Sequence, residues 1–478
     1  MKHSLFRNNT FWFLGITLAV FALRFHQLDA RDLSLDEPFT LFFAQGTAGE
    51  IVALSGEGEP NPPLFMLLVH YWLKLVGYSS VSLRIISLVF HALTAAVIFS
   101  IGRRFFDVTA GLLCLGLFLA SNYFTFFSCE LRPYGLFSLL TAGSLYYFLA
   151  ASSAENKKAF WLLWLCNVLL CYTHYFGWIV VGVQVASSLM YLDNKMFLKR
   201  MLLVVLGTSA CFLPILPSVI AQFQVSSEGT WVTKPYDGSY RMQLNAFFNS
   251  ALSYYYLFLF IIPFGLGILF THWYFQRFNR HYLVLVFWWF LPFTLMYLVS
   301  FKIPVFVDRY LLFCAIGLFV FIAALLHLYI KNSWLRGVAS ALFLGVMLAA
   351  YSTNEDYYHR PLAEAVDAVK ELSSEKSVVA VFPEYAKLNF SYHYSLPAFM
   401  AYDSIGAALQ KESVFPVWHY EELSTQKEFE TTDTVIFFTN MGADSDKAKL
   451  FLEKLDKAMT RVYYKEFSDA VCVAAYKR

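Results

Sequence analysis

The sequence predicts a polytopic, all-α membrane domain followed by a small α/β domain outside the membrane. Three observations carry this. Hydrophobic residues make up 58% of the 478 and charged residues only 15%, against about 25% charged in soluble domains. Apolar runs of spanning length recur from Phe11 to Tyr351. Basic residues occupy alternate short loops, as they do in multi-pass proteins. The composition excludes disorder and collagen-like repeats. With a formal net charge of +2 and no basic stripe to displace counterions, it also excludes a nucleic-acid partner.

At the N-terminus Lys2 and Arg7 precede the apolar run Phe11–Leu23, which continues into Arg24-Phe25-His26 without a small-x-small cleavage site. This is the pattern of an uncleaved signal anchor. Further apolar runs near 82–101, 108–127, 135–151, 159–173, 176–192, 201–220, 250–271, 282–300, 311–330 and 335–351 join the first, near 11–28. Pro62–Gly77 decides the topology. It reaches only about 24 Å as a helix against a hydrocarbon core of about 30 Å, and it carries His70 and Lys74. If it lies at the membrane surface, the basic loops Arg103-Arg104, Lys157-Lys158, Lys195/Lys199/Arg200, Arg277/Arg280 and Lys331/Arg336 all share a face with Lys2 and Arg7. The positive-inside rule then gives about eleven spans and a cytoplasmic N-terminus.

This places 29–81, 128–135, 221–249, 301–310 and the tail outside the cytoplasm. Residues 1–351 form the membrane domain and 352–478 the extracytoplasmic domain. In the tail Leu362–Leu372 reads as an amphipathic helix, Ser377–Phe382 and Thr434–Thr439 as buried strands, Asp446–Met459 as a helix, and Arg461–Phe467 with Ala470–Tyr476 as a terminal strand pair. The seven cysteines lie mostly inside apolar runs, with no CxxC or Cys/His ligand spacing, so neither a zinc site nor a disulfide framework is predicted.

Charge becomes informative by position. The first external loop carries Asp36-Glu37-Pro38, then Glu57 and Glu59 before Asn61-Pro62-Pro63. Converging carboxylates can supply a general base or hold a divalent cation. The same residues also suit a helix start, with Asp36 as N-cap and Ser34 with Glu37 as a capping box. On the external side stand Arg84, Glu130-Leu131-Arg132-Pro133-Tyr134, His174, Lys302 and Arg309-Tyr310. Single arginines at span ends commonly snorkel to headgroups. Several cations on the face usually poor in them point to a bound phosphate.

Taken together, Asp36-Glu37, Glu59, Pro62-Pro63-Leu64, Arg84, Arg132-Pro133-Tyr134, Thr173-His174-Tyr175, Trp231 through Pro235, Lys302, Arg309-Tyr310 and Tyr358 through Leu362 resemble the GT-C superfamily of polyprenyl-phosphate-sugar glycosyltransferases. The likeness is to the bacterial branch related to protein O-mannosyltransferases and to the aminoarabinose transferase of lipid A. It implies an inner-membrane enzyme that moves a sugar from a polyprenyl-phosphate donor to a lipid, glycan or protein acceptor outside the cytoplasm. By resemblance Asp36 is the acidic residue of the reaction centre, Glu37 shapes it, and Asp36 with Glu59 can hold a divalent metal ion. Arg84, Arg132, Lys302, Arg309 and Tyr310 would bind the lipid phosphate, with Tyr134 and His174 in the same binding region, and 36–48 with 62–77 would roof it. The chain departs from the mannosyltransferases at Asn61, where they usually carry His, and in its tail.

The rival reading is a transporter or flippase. It would require mid-span charges or inverted repeats, whereas here the charges bunch at one face. The aromatic residues, 19% of the chain, are explained by interfacial belts and lipid-facing Phe. Tyr254-Tyr255-Tyr256 and Trp288-Trp289 are therefore not assigned to sugar stacking, and His91 reads as a buried histidine.

Overall fold

The computed structural model describes residues 9–55, 61–153, 156–227, 232–249, 267, 280–351 and 361–478. Lys2, Arg7, Glu57, Glu59, Trp231, Arg277, Tyr358-His359-Arg360 and nearly all of the expected span 250–271 lie outside the described residues. The chain divides into two compact units. One comprises Met1–His26, Gly49–Leu68 and Arg84–Asn354; the other comprises Gln27–Ala48, Val69–Leu83 and Glu355–Arg478.

The first unit is helical. Among the described residues six helices are long and apolar enough to cross a membrane: Asn9–Asp29, Ser80–Phe105, Tyr134–Ser153, Lys195–Gln222, Arg280–Ser300 and Leu312–Tyr329. Shorter apolar helices are Leu64–Val76, Val108–Ala120, Gly177–Tyr191 and Ser333–Ala349, and Lys157–Thr173 adds another of 17 residues. Leu312–Tyr329 is the core helix, with Leu312 through Leu325 buried on every side. Lys195–Gln222 instead exposes Leu202, Leu203, Leu206 and Leu213, the surface of a helix facing hydrocarbon.

Leu64–Val76 has 13 residues, about 20 Å of helix, too short to cross. The Trp12 ring packs on Phe99 at 5.6 Å, and the Arg103 guanidinium sits 5.8 Å over Trp12. The start of Asn9–Arg24 therefore lies beside the end of Ser80–Phe105. Ser80–Phe105 and Val108–Ala120 meet at glycines: a Cβ on Gly102 would stand 2.6 Å from the Gly111 Cα.

Polar groups tie the helix ends. At one end the Arg24 guanidinium donates to the Tyr351 hydroxyl at 2.8 Å and to the Leu119 carbonyl, and the Asn122 amide donates to the Tyr351 carbonyl at 2.8 Å. Asn249, in the left-handed region at φ +66°, donates to the Ala120 and Met347 carbonyls at 2.7 and 3.0 Å and accepts from the Asn122 N–H at 2.8 Å. At the other end Asp107 caps Val108–Ala120 through the Ala110 N–H and pairs with Arg336 and His327. The expected span 108–127 is broken at Ser121, which is extended (ψ 117°) and donates its hydroxyl to the Phe247 carbonyl at 2.9 Å.

Within the bundle Asn167 and Gln184 exchange two amide hydrogen bonds of 2.7 and 2.9 Å, and Gln184 also donates to Ser144 at 3.3 Å. This buried set joins three helices in the manner of polar glue between membrane segments. His91 is buried and stacks on Phe118 at 4.6 Å.

The second unit contains a five-stranded sheet of order β2-β1-β3-β5-β4. β1 (Ser377–Phe382), β2 (Val414–Pro416) and β3 (Thr434–Thr439) are parallel, and β5 (Val471–Lys477) runs antiparallel to both β3 and β4 (Thr460–Ser468). Every residue of β1 and β3 is buried, because helices cover both faces. Val378, Ala380, Phe382, Val435 and Phe437 pack with Phe451 and Leu455 of the helix Asp446–Ala458. From the opposite face Phe438 meets Phe390 at 5.0 Å. The three-residue β2 and the helix Lys387–Tyr394 are elements the sequence did not announce.

Asn249→Ala leaves two buried carbonyls and the Asn122 N–H without their partner, each loss being worth about 1–3 kcal/mol. A lowered thermal midpoint of the detergent-solubilised chain, without loss of helix content at 20 °C, is the expected outcome; an unchanged midpoint contradicts it.

Candidate functional site

The acidic loop belongs to the second unit. Asp36 is the N-cap residue of the helix Glu37–Phe43, yet its carboxylate makes no cap hydrogen bond to that helix. Glu37 is buried, and its Oε2 accepts from the Ser34 N–H at 3.4 Å, half of the expected capping box. The helix-start reading therefore accounts for Glu37 and does not account for the Asp36 carboxylate. Leu35, just before it, has φ +55°. For an L side chain this region costs about 1–2 kcal/mol, and surrounding contacts must hold it there. The helix Leu64–Val76 is fastened to the same unit by His70, whose Nδ1 donates to the Ala44 carbonyl at 2.8 Å.

The cationic residues belong to the first unit. Three loops meet there, and each is followed by the first turn of a helix: Arg132-Pro133 before Tyr134–Ser153, His174 through Phe176 before Gly177–Ser188, and Asp308 through Tyr310 before Leu312–Tyr329. Ring contacts show the convergence. His174 packs on Phe137 at 5.1 Å, Phe176 at 5.1 Å and Tyr310 at 5.3 Å, while Phe137 meets Phe313 at 6.0 Å. Three helix N-termini, each carrying the partial positive charge of a helix start, are thus brought to one place.

His174 is the hub. Its Nδ1 accepts from the Phe176 N–H at 3.1 Å, so the neutral ring carries its proton on Nε2 and offers a donor there. Burial first, and then the nearby charges of Arg132 and Arg309, push its pKa down to about 3. The imidazole is neutral at physiological pH, and the positive charge comes from the arginines. The Arg309 backbone is held by Asp308, whose Oδ1 accepts the Arg309 N–H at 2.7 Å, and by the Tyr123 hydroxyl, which donates to the Asp308 carbonyl. The Arg309 guanidinium stands 6.0 Å from the Tyr310 ring centre.

The other expected residues fall as follows. Arg84 is fully buried, one turn before Ser87, whose carbonyl would lie 3.3 Å from a Cβ on Gly135. The absence of that Cβ lets Ser80–Phe105 approach the start of Tyr134–Ser153. Tyr134 is buried and edge-on to Phe127 at 5.1 Å. Lys302 is exposed just beyond the end of Arg280–Ser300. Phe137, Phe176, Tyr123 and Asp308 were missed; the only signal in the sequence was their place beside the starts of alternate helices. Among the described residues no three His, Cys, Asp or Glu side chains gather as a metal site, and none of the seven cysteines is in a disulfide.

Residues 60–220 match the PMT_2 family, dolichyl-phosphate-mannose-protein mannosyltransferase. No curated protein sequence matches the chain. Among solved structures, ArnT from Cupriavidus metallidurans in the apo state matches with a TM-score of 0.63 at 13% identity, covering 97% of each chain. The same protein bound to undecaprenyl phosphate matches at 0.61, again with 13% identity and 97% of each chain. The Archaeoglobus fulgidus oligosaccharyltransferase, in complex with zinc and sulfate, matches at 0.51 with 12% identity over 91% of this chain and 69% of its own. The chain shares its fold with ArnT and, less closely, with the oligosaccharyltransferase, and residues 60–220 carry the mannosyltransferase-type family match.

The His174 shift carries a pH signature. Between its ordinary value of 6.5 and about 3, the unfolded chain takes up a proton that the native chain refuses, so the stability present above pH 6.5 is lost as pH falls through this window. The thermal midpoint should drop more steeply between pH 7 and 4.5 for the unmodified chain than for His174→Gln; parallel profiles would contradict the assignment.

Proposed function

We propose that the protein is an integral-membrane glycosyltransferase of the inner membrane that moves a sugar from a polyprenyl-phosphate donor to a lipid, glycan or protein acceptor on the extracytoplasmic side. Residues 1–351 serve as the catalytic membrane domain and 352–478 as the extracytoplasmic domain. The observation that carries this reading is the meeting of three helix N-termini around His174 with Arg132 and Arg309. The positive ends of three helices, two guanidinium groups and a neutral Nε2–H suit a phosphate. The ArnT structure with undecaprenyl phosphate bound supports the choice of lipid phosphate. A transporter needs no such anion-stabilising convergence at one face.

The chemistry is a single displacement. The acceptor oxygen attacks the anomeric carbon as the bond from that carbon to the phosphate oxygen breaks, through an oxocarbenium-like state. Asp36 takes the proton of the acceptor hydroxyl as general base. The bonding electron pair leaves with the phosphate, whose growing charge Arg132 and Arg309 stabilise while His174 donates from Nε2. Arg84 and Lys302 add positive charge on the donor side, Tyr134 and Tyr310 line it, and Glu37 fixes the loop that bears Asp36. A divalent metal at Asp36 and Glu59 is the second reading of the acidic loop; since Glu59 lies outside the described residues, the steps run through side chains alone.

Asp36→Asn should abolish release of undecaprenyl phosphate from an undecaprenyl-phosphate-linked sugar, and Arg309→Ala should lower kcat/KM about 10- to 100-fold, the loss of one charge-assisted bond. The product should carry the inverted anomeric configuration by NMR. Wild-type turnover in Asp36→Asn, or a retained configuration, would refute this mechanism. For orientation, an impermeant maleimide should label Lys411→Cys in intact cells and Lys199→Cys only after permeabilisation; the reverse pattern would invert the topology.

A further inference from the structure

The segment Asp32–Leu35 precedes Asp36, and the tail of the same unit grips it residue by residue. The Asp32 carboxylate accepts the Ala363 N–H at 2.8 Å, capping a helix whose own N-cap residue, Pro361, offers no side-chain cap. The His393 Nε2–H donates to the Leu33 carbonyl at 2.9 Å. Asn389 Nδ2 donates to the Leu35 carbonyl at 3.2 Å. Asn389, Tyr392 and His393 are spaced i, i+3 and i+4, so they share one face of the helix Lys387–Tyr394. Tyr392 donates from the same face to the Tyr78 carbonyl at 2.7 Å.

Two features mark this grip as more than packing. Leu35 is exposed at 37% and stands in the left-handed region, so neither burial nor its own preference holds it there. The buried Asn389 makes its hydrogen bond through Nδ2, while its Oδ1 is buried without a hydrogen-bond partner. A half-satisfied buried amide is a poor stabiliser, and an apolar residue of similar size would serve the core better. What Asn389 supplies is the placement of one carbonyl, that of the residue immediately before Asp36.

We propose that the C-terminal domain acts in catalysis by setting the geometry of Asp36, with Asn389 and His393 as its positioning residues. The inference rests on the reading of Asp36 as the base. The two donors hold the Leu33 and Leu35 carbonyls on either side of Ser34, and so impose the turn at Leu35 from which Asp36 emerges. Loss of either donor lets Leu35 relax to an ordinary backbone conformation and swings the carboxylate. A displacement of about 1 Å costs on the order of 10²-fold in rate.

The test uses the full-length chain in detergent with an undecaprenyl-phosphate-linked sugar as donor, alongside hydrogen exchange of residues 31–37. Asn389→Asp keeps the shape and removes the donor; His393→Ala removes the donor, while His393→Gln retains one. The expected result is a kcat lowered about 10- to 100-fold in Asn389→Asp and His393→Ala with donor KM changed less than about threefold. Faster exchange confined to 31–37 should accompany it, with most of the turnover restored in His393→Gln. Wild-type kcat in both donor-less variants, or exchange at 31–37 unchanged, overturns the proposal. Asp36→Asn, run in parallel, separates the two ideas: full turnover there removes Asp36 as base, while the exchange of 31–37 still reports on the grip.

Discussion

A helix that crosses a membrane must satisfy its own backbone, and successive helices must reverse direction. Every second helix therefore presents its unsatisfied N–H groups to the same face. The first unit depends on this parity. Tyr134–Ser153, Gly177–Ser188 and Leu312–Tyr329 all begin where Phe137, His174 and Tyr310 touch, so one end of the bundle collects positive helix termini and the arginines beside them. His174 stays neutral there, so the positive character comes from the helix ends and the two guanidinium groups, which suit an anion such as a phosphate; this is the physical reason for reading the convergence as a binding site.

The rest of the bundle keeps this end in register with few polar devices. Asn249 and Arg24 bind the terminal carbonyls of neighbouring helices, and Asp107 gathers Arg336 and His327 at the other end. Between them the Asn167–Gln184 pair is self-contained, which lets two amides lie among apolar side chains without stranded donors. The core helix Leu312–Tyr329 needs none of these, because it is enclosed on all sides and its start carries Asp308 through Tyr310.

The second unit solves a different problem. The loop that bears Asp36 is short of regular structure of its own, and Glu37–Phe43 is only 7 residues long. The α/β sheet supplies rigidity, and the helix Lys387–Tyr394 transmits it through hydrogen bonds to backbone carbonyls. Much of this unit was legible. β1, β3 and the helix Leu362–Leu372 follow from apolar runs and helical spacing, and the ends of β4 and β5 differ from expectation by a residue or so. Lys387–Tyr394 was not legible, because the face it turns toward the loop carries the polar Asn389, Tyr392 and His393, buried or half-buried, a combination that periodicity reads as solvent. The three-residue β2 is too short to leave any pattern.

The sequence by itself determined that this is a multi-pass protein with an α/β tail, and which charged residues were worth watching. Hydropathy and loop charge are local quantities, and a membrane sorts them by thickness and sign. Only the tertiary structure decided that Arg132 and Arg309 share a hydrogen-bonded, neutral histidine as neighbour. It alone revealed that Asp36 follows a strained Leu35 held by Asn389 and His393. Those facts depend on which helix ends meet and which carbonyls find donors far along the chain, and a distance of 354 residues between Leu35 and Asn389 leaves no trace in local pattern.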